Sequence, residues 1–393
     1  MRAGPSFRNP DEADFDASGG PLHSFAQMSD FEAARLTVRL GALAANFRIF
    51  QSMAGTASVA AVVKADAYGL GMQPVARHLA ANGCDTFFVA RLQEGVSLRP
   101  VVPQARIFVL DGAPDGSVPE LLAYRLTPVL NSLAEIAQWS AAARQANTIL
   151  EGAIHLDTGM SRLGLPPEEL DLLASEWATR LDRVRAVLLM SHLACADDPA
   201  HPLNRLQHER FRAALARLPA APASLSSSGG AMLGKDFAFD MVRPGIGLYG
   251  GNPQPKKANP FAPVAILTGR ILQLRHIGVG DTVGYGATFA ASRPTTLATT
   301  GLGYTDGLMR ALSNRGAGAI AGRRVPIAGR VSMDLVTLDV TEVPPEQLRV
   351  GGEIEFVGDT ISLEEVAAAS CTASYEILTS LARRVARHYE AGR

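Results

Sequence analysis

Five short segments place reactive or anion-binding residues where apolar runs end. Lys64 closes the run in AVVKADAYGLG, Arg162 lies in DTGMSRLG, and Ser191-His192 follows RAVLLM; SSSGG spans 226–230 and RPGIGLYG spans 243–250. An ammonium group is costly to bury. A lysine facing an apolar cavity is therefore pushed toward its neutral amine, the form that makes a Schiff base. Glycines admit close backbone approach to an anion, and successive amides with hydroxyls can cradle one. A lysine at one end and a phosphate seat at the other is the arrangement that holds pyridoxal phosphate (PLP). Taken singly, Lys64 reads equally as a strand-end charge reaching for water, and the glycines as plain turns. Their joint position favours the cofactor reading.

That position follows from the elements around them. Apolar strand segments SVAAVV, TFFVA, RIFVL, LTPVL, GAIHL, RAVLLM, APASL and FDMVR alternate with helical patterns between about residues 41 and 250. In PLNRLQHERFRAALARL, Leu203, Leu206, Phe211, Ala214, Leu215 and Leu218 are expected to share one helical face. Near-continuous apolar strands between helices indicate a parallel sheet covered on both sides. Eight such units predict an α/β fold, a (β/α)8 TIM-type barrel, with a doubly wound open sheet as the alternative. The five segments then lie at C-terminal strand ends, where barrel proteins build their sites; the loops after the last two strands are a common phosphate seat. After about residue 263, short alternating runs and Gly-rich turns predict a mainly antiparallel β domain. Two closing helices are expected, one opened by the capping box SLEE at 362–365 and one over ASYEILTSLARRVARHY. The expected division is an acidic N-terminal tail (1–33), a barrel domain (34–262, its first strand joining the other domain) and a β-rich domain (263–393).

Composition removes several classes. The 393 residues carry a formal net charge of −1, which gives no support for a nucleic-acid or anionic-membrane partner. No apolar run reaches the ~20 residues of a membrane span, and the N-terminus lacks a signal-peptide core. Cys84, Cys195 and Cys371 have no zinc-ligand spacing, and they read as free, mostly buried thiols of a reducing, cytoplasmic compartment. No metal is expected. Asp157-Thr158-Gly159 matches the aspartic-protease triplet, but that chemistry needs a second carboxylate and no second DTG or DSG exists.

The motifs AVVKADAYGLG, HLDTGMSRLG, SHLACAD, SSSGG, MVRPGIGLYG, VGYGATF, GYTDG, GRVSMD and CTASYE occur in this order. Together they resemble those of alanine racemases, PLP enzymes of fold type III, over about residues 34–390. The resemblance implies a homodimer with shared sites and the covalent PLP link on Lys64. It implies phosphate contacts from Tyr68, Tyr375, Ser228, Gly245 and Ile246, and it places Arg243 facing the pyridine nitrogen. Arg162 resembles the residue between the PLP phenolic oxygen and the substrate carboxylate, and His192 the imidazole beside the ring. Tyr285, from the partner, resembles the second catalytic base. Met333 resembles a backbone donor to the substrate carboxylate, with Asp334 and Tyr304 shaping the site.

Racemisation removes a proton from one face of Cα and returns one to the other, so two bases are needed. The resemblance assigns Lys64 to the D enantiomer and Tyr285 to the L enantiomer. Tyrosine ordinarily titrates near pH ~10, so Tyr285 needs cationic or hydrogen-bonding neighbours, for which His192 and Arg162 are candidates. Arg243 stays protonated and can only donate, which disfavours a proton on the pyridine nitrogen. One departure stands out. Many relatives carry a carbamylated lysine two residues before the Asp of DTG, and here that residue is His155. The activity implied is interconversion of L- and D-alanine, supplying peptidoglycan. A broader racemase acting on serine, a PLP decarboxylase and a non-catalytic PLP-binding module are the alternatives. The tyrosine of VGYGATF argues against the decarboxylase, and the β domain against the binding module.

Overall fold

The computed structural model describes residues 32–391. Apart from residues 32 and 33, the expected N-terminal tail lies outside them. Seven parallel strands follow one another in chain order: Ala61–Val62, Thr86–Val89, Arg106–Val109, Thr127–Leu130, Leu150–His155, Val184–Met190 and Ala223–Ser224. An eighth, Met241–Val242, pairs in parallel with Ser58–Val59, which leads into the first. Asp240 N–H donates to the Ala223 carbonyl (3.0 Å) and Arg243 N–H to that of Ser226 (2.8 Å), joining the two ends. The order never reverses, so the open doubly wound alternative is excluded and the barrel expectation holds. Thr86–Val89 and Thr127–Leu130 are buried at every position, as strands covered by helices outside and packed side chains inside must be.

The second lobe is built on the long strand Ala265–Ile277. It pairs antiparallel with Ala34–Arg39, Thr295–Thr300 and Glu353–Val357. Leu36 and Val38 of Ala34–Arg39 are wholly buried, so the start of the described chain belongs to this sheet's core.

Three local readings change. The last helix spans only Ser374–Thr379; the following ARHYE is a strand, Ala386–Glu390, parallel to Ala34–Arg39. A pairing partner some 350 residues away overrides the local helical pattern. In the helix Pro202–Leu215, Leu206 is exposed, and the buried face instead carries Asn204 and Gln207 beside Phe211 and Ala214. Of the cysteines, only Cys84 is fully buried, and Cys371 is exposed.

Candidate active site

Lys64 stands at the C-terminal end of the first barrel strand and begins an unusual turn. Ala65, Asp66, Ala67 and Tyr68 all adopt left-handed conformations, with φ between 52° and 56°. Each such non-glycine residue costs about 1–2 kcal/mol, so the turn must be held from outside. The Glu94 carboxylate accepts the amide of Ala65 at 2.6 Å and, with its other oxygen, those of Ala90 (2.8 Å) and Arg91 (3.0 Å). The Asp66 carboxylate accepts the Met72 amide at 2.7 Å. From the C-terminal strand, Arg387 donates twice to the Gly69 carbonyl (3.0 and 2.8 Å) and the Tyr389 hydroxyl to that of Leu70 (3.0 Å). The turn aims Lys64 and Tyr68 into one cavity of about 980 Å³.

That cavity brings together Lys64, Tyr68, His155, Arg162, His192, Ser228, Arg243, Gly245, Ile246 and Tyr375. Burial lowers the Lys64 amine below its usual range, and the nearby Arg162 guanidinium lowers it further; Glu94 and Asp111 oppose them. His192 is pushed down to about 3 and His155 to about 4, by burial first and Arg243 next. Both imidazoles are therefore neutral at pH 7. Toward the tyrosine base, burial favours the hydrogen-bonding role of His192 over the cationic one.

At the opposite end, the Ser228 hydroxyl accepts the amides of Gly245 (2.9 Å) and Gly247 (3.2 Å), drawing the last two barrel loops together. A Cβ on Gly245 would fall 2.2 Å from the Tyr68 hydroxyl oxygen, so only glycine lets that ring reach the seat. Tyr68 stacks obliquely between Tyr249 and Tyr375. Burial raises the Tyr68 hydroxyl and pushes that of Tyr375 up to about 12, keeping both as donors. Three hydroxyls around a glycine-lined floor, facing an amine whose pKa burial lowers, fit a phosphate at one end and a covalent carbonyl link at the other. Arg243 is 3 % exposed, donates to the Ser191 carbonyl at 2.7 Å and to the Ser224 hydroxyl, and lies over the Phe88 ring. Burial lowers it to about 9, so it stays cationic at neutral pH.

Four expected residues do not line this cavity. Tyr285, Tyr304 and Met333 lie on the second lobe and are 72, 41 and 54 % exposed. The Thr305 amide and hydroxyl both donate to the Met333 carbonyl (3.0 and 2.6 Å). Asp334, beside Met333, pairs with Arg384 at 2.6 Å and accepts from the Thr305 hydroxyl at 3.1 Å. Its carboxylate is spent fixing the loop that carries Met333.

Sequence reasoning missed residues that hold the site in place. Glu94 anchors the lysine turn, and Asn131 holds His155. The Asp157 carboxylate of the DTG triplet accepts the amides of Gly159 and Met160 (both 2.9 Å) and Ser161, shaping the loop of Arg162.

A barrel whose mouth opposes a lysine to a hydroxyl-rich anion seat, joined to an antiparallel lobe, defines a class of PLP-binding barrel enzymes. The profile "Alanine racemase, N-terminal domain" matches residues 38–253, and "Alanine racemase, C-terminal domain" matches 264–389. The chain is 48 % identical to the alanine racemase of Rhodospirillum rubrum, over 92 % of this chain and 96 % of that one. It is 47 % identical to the catabolic alanine racemase of Agrobacterium fabrum, over 91 % and 92 %, and 44 % identical to the biosynthetic one, over 91 % and 95 %. Among solved structures, alanine racemase from Bartonella henselae with covalently bound pyridoxal phosphate superposes with a TM-score of 0.87. That pair shares 38 % identity over 91 % of this chain and 100 % of the other. The chain belongs to the alanine racemase family, and the fold, cofactor and racemase class expected from its motifs hold.

Proposed function

We propose that this protein interconverts L- and D-alanine with two bases, Lys64 from one subunit and Tyr285 from its partner, in a homodimer with shared sites. The observation that carries the reading is the split of the machinery. Lys64 and the phosphate seat share one cavity, while Tyr285 and Met333 sit exposed on the other lobe. A second copy would bring that surface over the cavity, and closed two-fold dimers are the commonest homo-oligomers.

Bound PLP would supply the carbonyl that captures the substrate amine and the electron sink that acidifies the Cα–H bond. Lys64 would hold it covalently, Ser228, Tyr68, Tyr375 and the amides of Gly245 and Ile246 would hold its phosphate, and Arg243 would face its ring nitrogen. The protein does the rest. Lys64, released when the substrate amine takes its place on the cofactor and made less basic by burial, takes the Cα proton of the D enantiomer or returns one to that face. The partner's Tyr285 does the same on the L face, with neutral His192 and Arg162 as its polar support. Arg162 and the backbone of the partner's Met333 orient the substrate carboxylate, and the partner's Asp334 holds that Met333 loop. We assign the barrel domain to 34–262 and the β domain to 263–393, the first strand crossing into the latter's sheet.

Among the described residues, no helix is long and apolar enough to cross a membrane, and no cluster of three or more His, Cys, Asp or Glu is placed to hold a metal ion. We place the protein in the cytoplasm, its D-alanine serving cell-wall peptidoglycan. The test is deuterium uptake at Cα of each alanine enantiomer in D2O, with optical rotation followed in parallel. Exchange with loss of rotation supports the reading. Unchanged rotation without exchange overturns it, and release of carbon dioxide would point to a decarboxylase.

A further inference from the structure

We infer that Gln207 is a positioning residue for racemisation: it sets His192, and through Thr158 the loop of Arg162, for the proton transfer served by the partner's Tyr285. The inference rests on the two-base reading above.

Gln207 lies on the helix Pro202–Leu215, outside the barrel wall, and is completely buried. A buried amide needs every polar atom satisfied, and the site loops do this for Gln207. Its Nε2 donates to the His192 carbonyl at 2.9 Å and to the Thr158 hydroxyl at 3.2 Å. Its Oε1 accepts the Ala194 amide at 2.8 Å. The side chain therefore grips the main chain on both sides of the His192 loop, at the carbonyl of 192 and the amide of 194.

Thr158 carries the grip to the neighbouring loop. Its oxygen receives the Gln207 proton and also shares a hydrogen bond with the Ser191 hydroxyl at 2.7 Å. Ser191 is tied in turn to Arg243 through its carbonyl. One turn further along the same helix, Arg210 donates to the Thr158 carbonyl at 3.1 Å. A single helix thus locks two mouth loops, those of His192 and Arg162, to each other and to Arg243.

The chemistry of the position demands glutamine. It needs two donated protons and one acceptor in a fixed plane. A carboxylate lacks the donors, and a hydrocarbon would leave the Ala194 amide buried without a partner. The helix does not need Gln207 to pack, since Phe211 and Ala214 supply its buried apolar face. Asn204 separately ties it to the carbonyls of Cys195 (3.1 Å) and Asp198 (2.9 Å).

The test uses the holoenzyme of Gln207→Met, which keeps the volume and loses the hydrogen bonds, and of Gln207→Glu, which keeps only the acceptor. Both should retain the cofactor absorbance while kcat/KM falls by about 10-fold to 100-fold, the scale of a misplaced catalytic group. A general loosening would slow both directions alike with unchanged isotope effects. Misplaced support for the tyrosine base acts differently. The Cα-deuterium isotope effect on kcat/KM should rise with deuterated L-alanine and fall with deuterated D-alanine, because the tyrosine step becomes the slower one. Thr158→Ser should behave as wild type, and Thr158→Val should repeat the asymmetry more weakly. Unchanged isotope effects in both directions would overturn the proposal. So would failure of both Gln207 variants to fold and hold cofactor, which would make Gln207 a folding determinant. A wild-type enzyme without Cα exchange would instead sink the racemase reading before any variant is compared.

Discussion

His155 Nδ1 lies 2.8 Å from the side-chain oxygen of Asn131, and this contact fixes the tautomer of the ring. Asn131 spends its amide protons on the carbonyls of Val129 (2.8 Å) and Leu110 (3.2 Å), so its oxygen faces the imidazole. The ring therefore donates from Nδ1 and keeps a lone pair on Nε2. His155 shares the cavity wall with Arg162, whose loop folds back over it; the Leu165 amide donates to the His155 carbonyl at 2.8 Å. A neutral acceptor thus stands where many relatives have a carbamylated lysine.

Racemase activity should accordingly be indifferent to dissolved carbon dioxide. Activity in degassed buffer should match that with added bicarbonate. A loss on degassing that bicarbonate restores would contradict this role for His155.

The two buried histidines make stability depend on pH. Both have folded values, about 4 and about 3, below the ordinary 6.5. Below pH 6.5 the unfolded chain binds more protons than the folded one. Their contribution is complete above pH 6.5 and is lost as pH falls toward 4 and 3, at up to about 1.4 kcal/mol per pH unit for each. Urea midpoints measured from pH 7.5 to 5 should fall, and His155→Gln should flatten the slope. A profile identical to wild type would refute the contribution of His155.

Shared sites can be tested by mixing subunits. Lys64→Ala and Tyr285→Phe should each be nearly inactive alone. Unfolded and refolded together in equal amounts, they should regain about a quarter of wild-type activity, since half the dimers are mixed and each carries one intact site. No recovery, with mixed dimers demonstrated by mass spectrometry, would place both bases in one chain.

Gly245→Ala should weaken cofactor binding. The added methyl would sit 2.2 Å from the Tyr68 hydroxyl oxygen and push that donor off the seat. The loss of one hydrogen bond to a charged group corresponds to about 1.5–3 kcal/mol, or roughly 10-fold to 100-fold in the PLP dissociation constant. Titration of the apoenzyme by absorbance measures it, and unchanged affinity would remove Tyr68 from the seat.

The barrel strands are readable in the sequence because burial on both faces leaves no polar alternation. TFFV and RIFV are apolar runs of the right length between helical patterns. The mouth residues are readable because chemistry at a strand end breaks such a run abruptly, as Lys64 does. Contacts between remote segments are not readable. ARHYE looks helical because its partner strand, Ala34–Arg39, is distant in sequence. Gln207 and Asn204 escape a search for apolar periodicity because they are buried by hydrogen bonding. Glu94 and Asn131 bind mainly backbone groups, which leave no side-chain signature. The exposure of Tyr285 on the second lobe, outside the cavity lining, likewise shows only in the fold.

The clamp on the left-handed turn also orders events during synthesis. Lys64 is made well before Arg387 and Tyr389, which bind the carbonyls of Gly69 and Leu70 from 318 and 319 residues further along the chain. A nascent chain can complete its barrel strands while the lysine turn still lacks its far anchor. The reactive amine is therefore set only once the strand Ala386–Glu390 has joined its sheet.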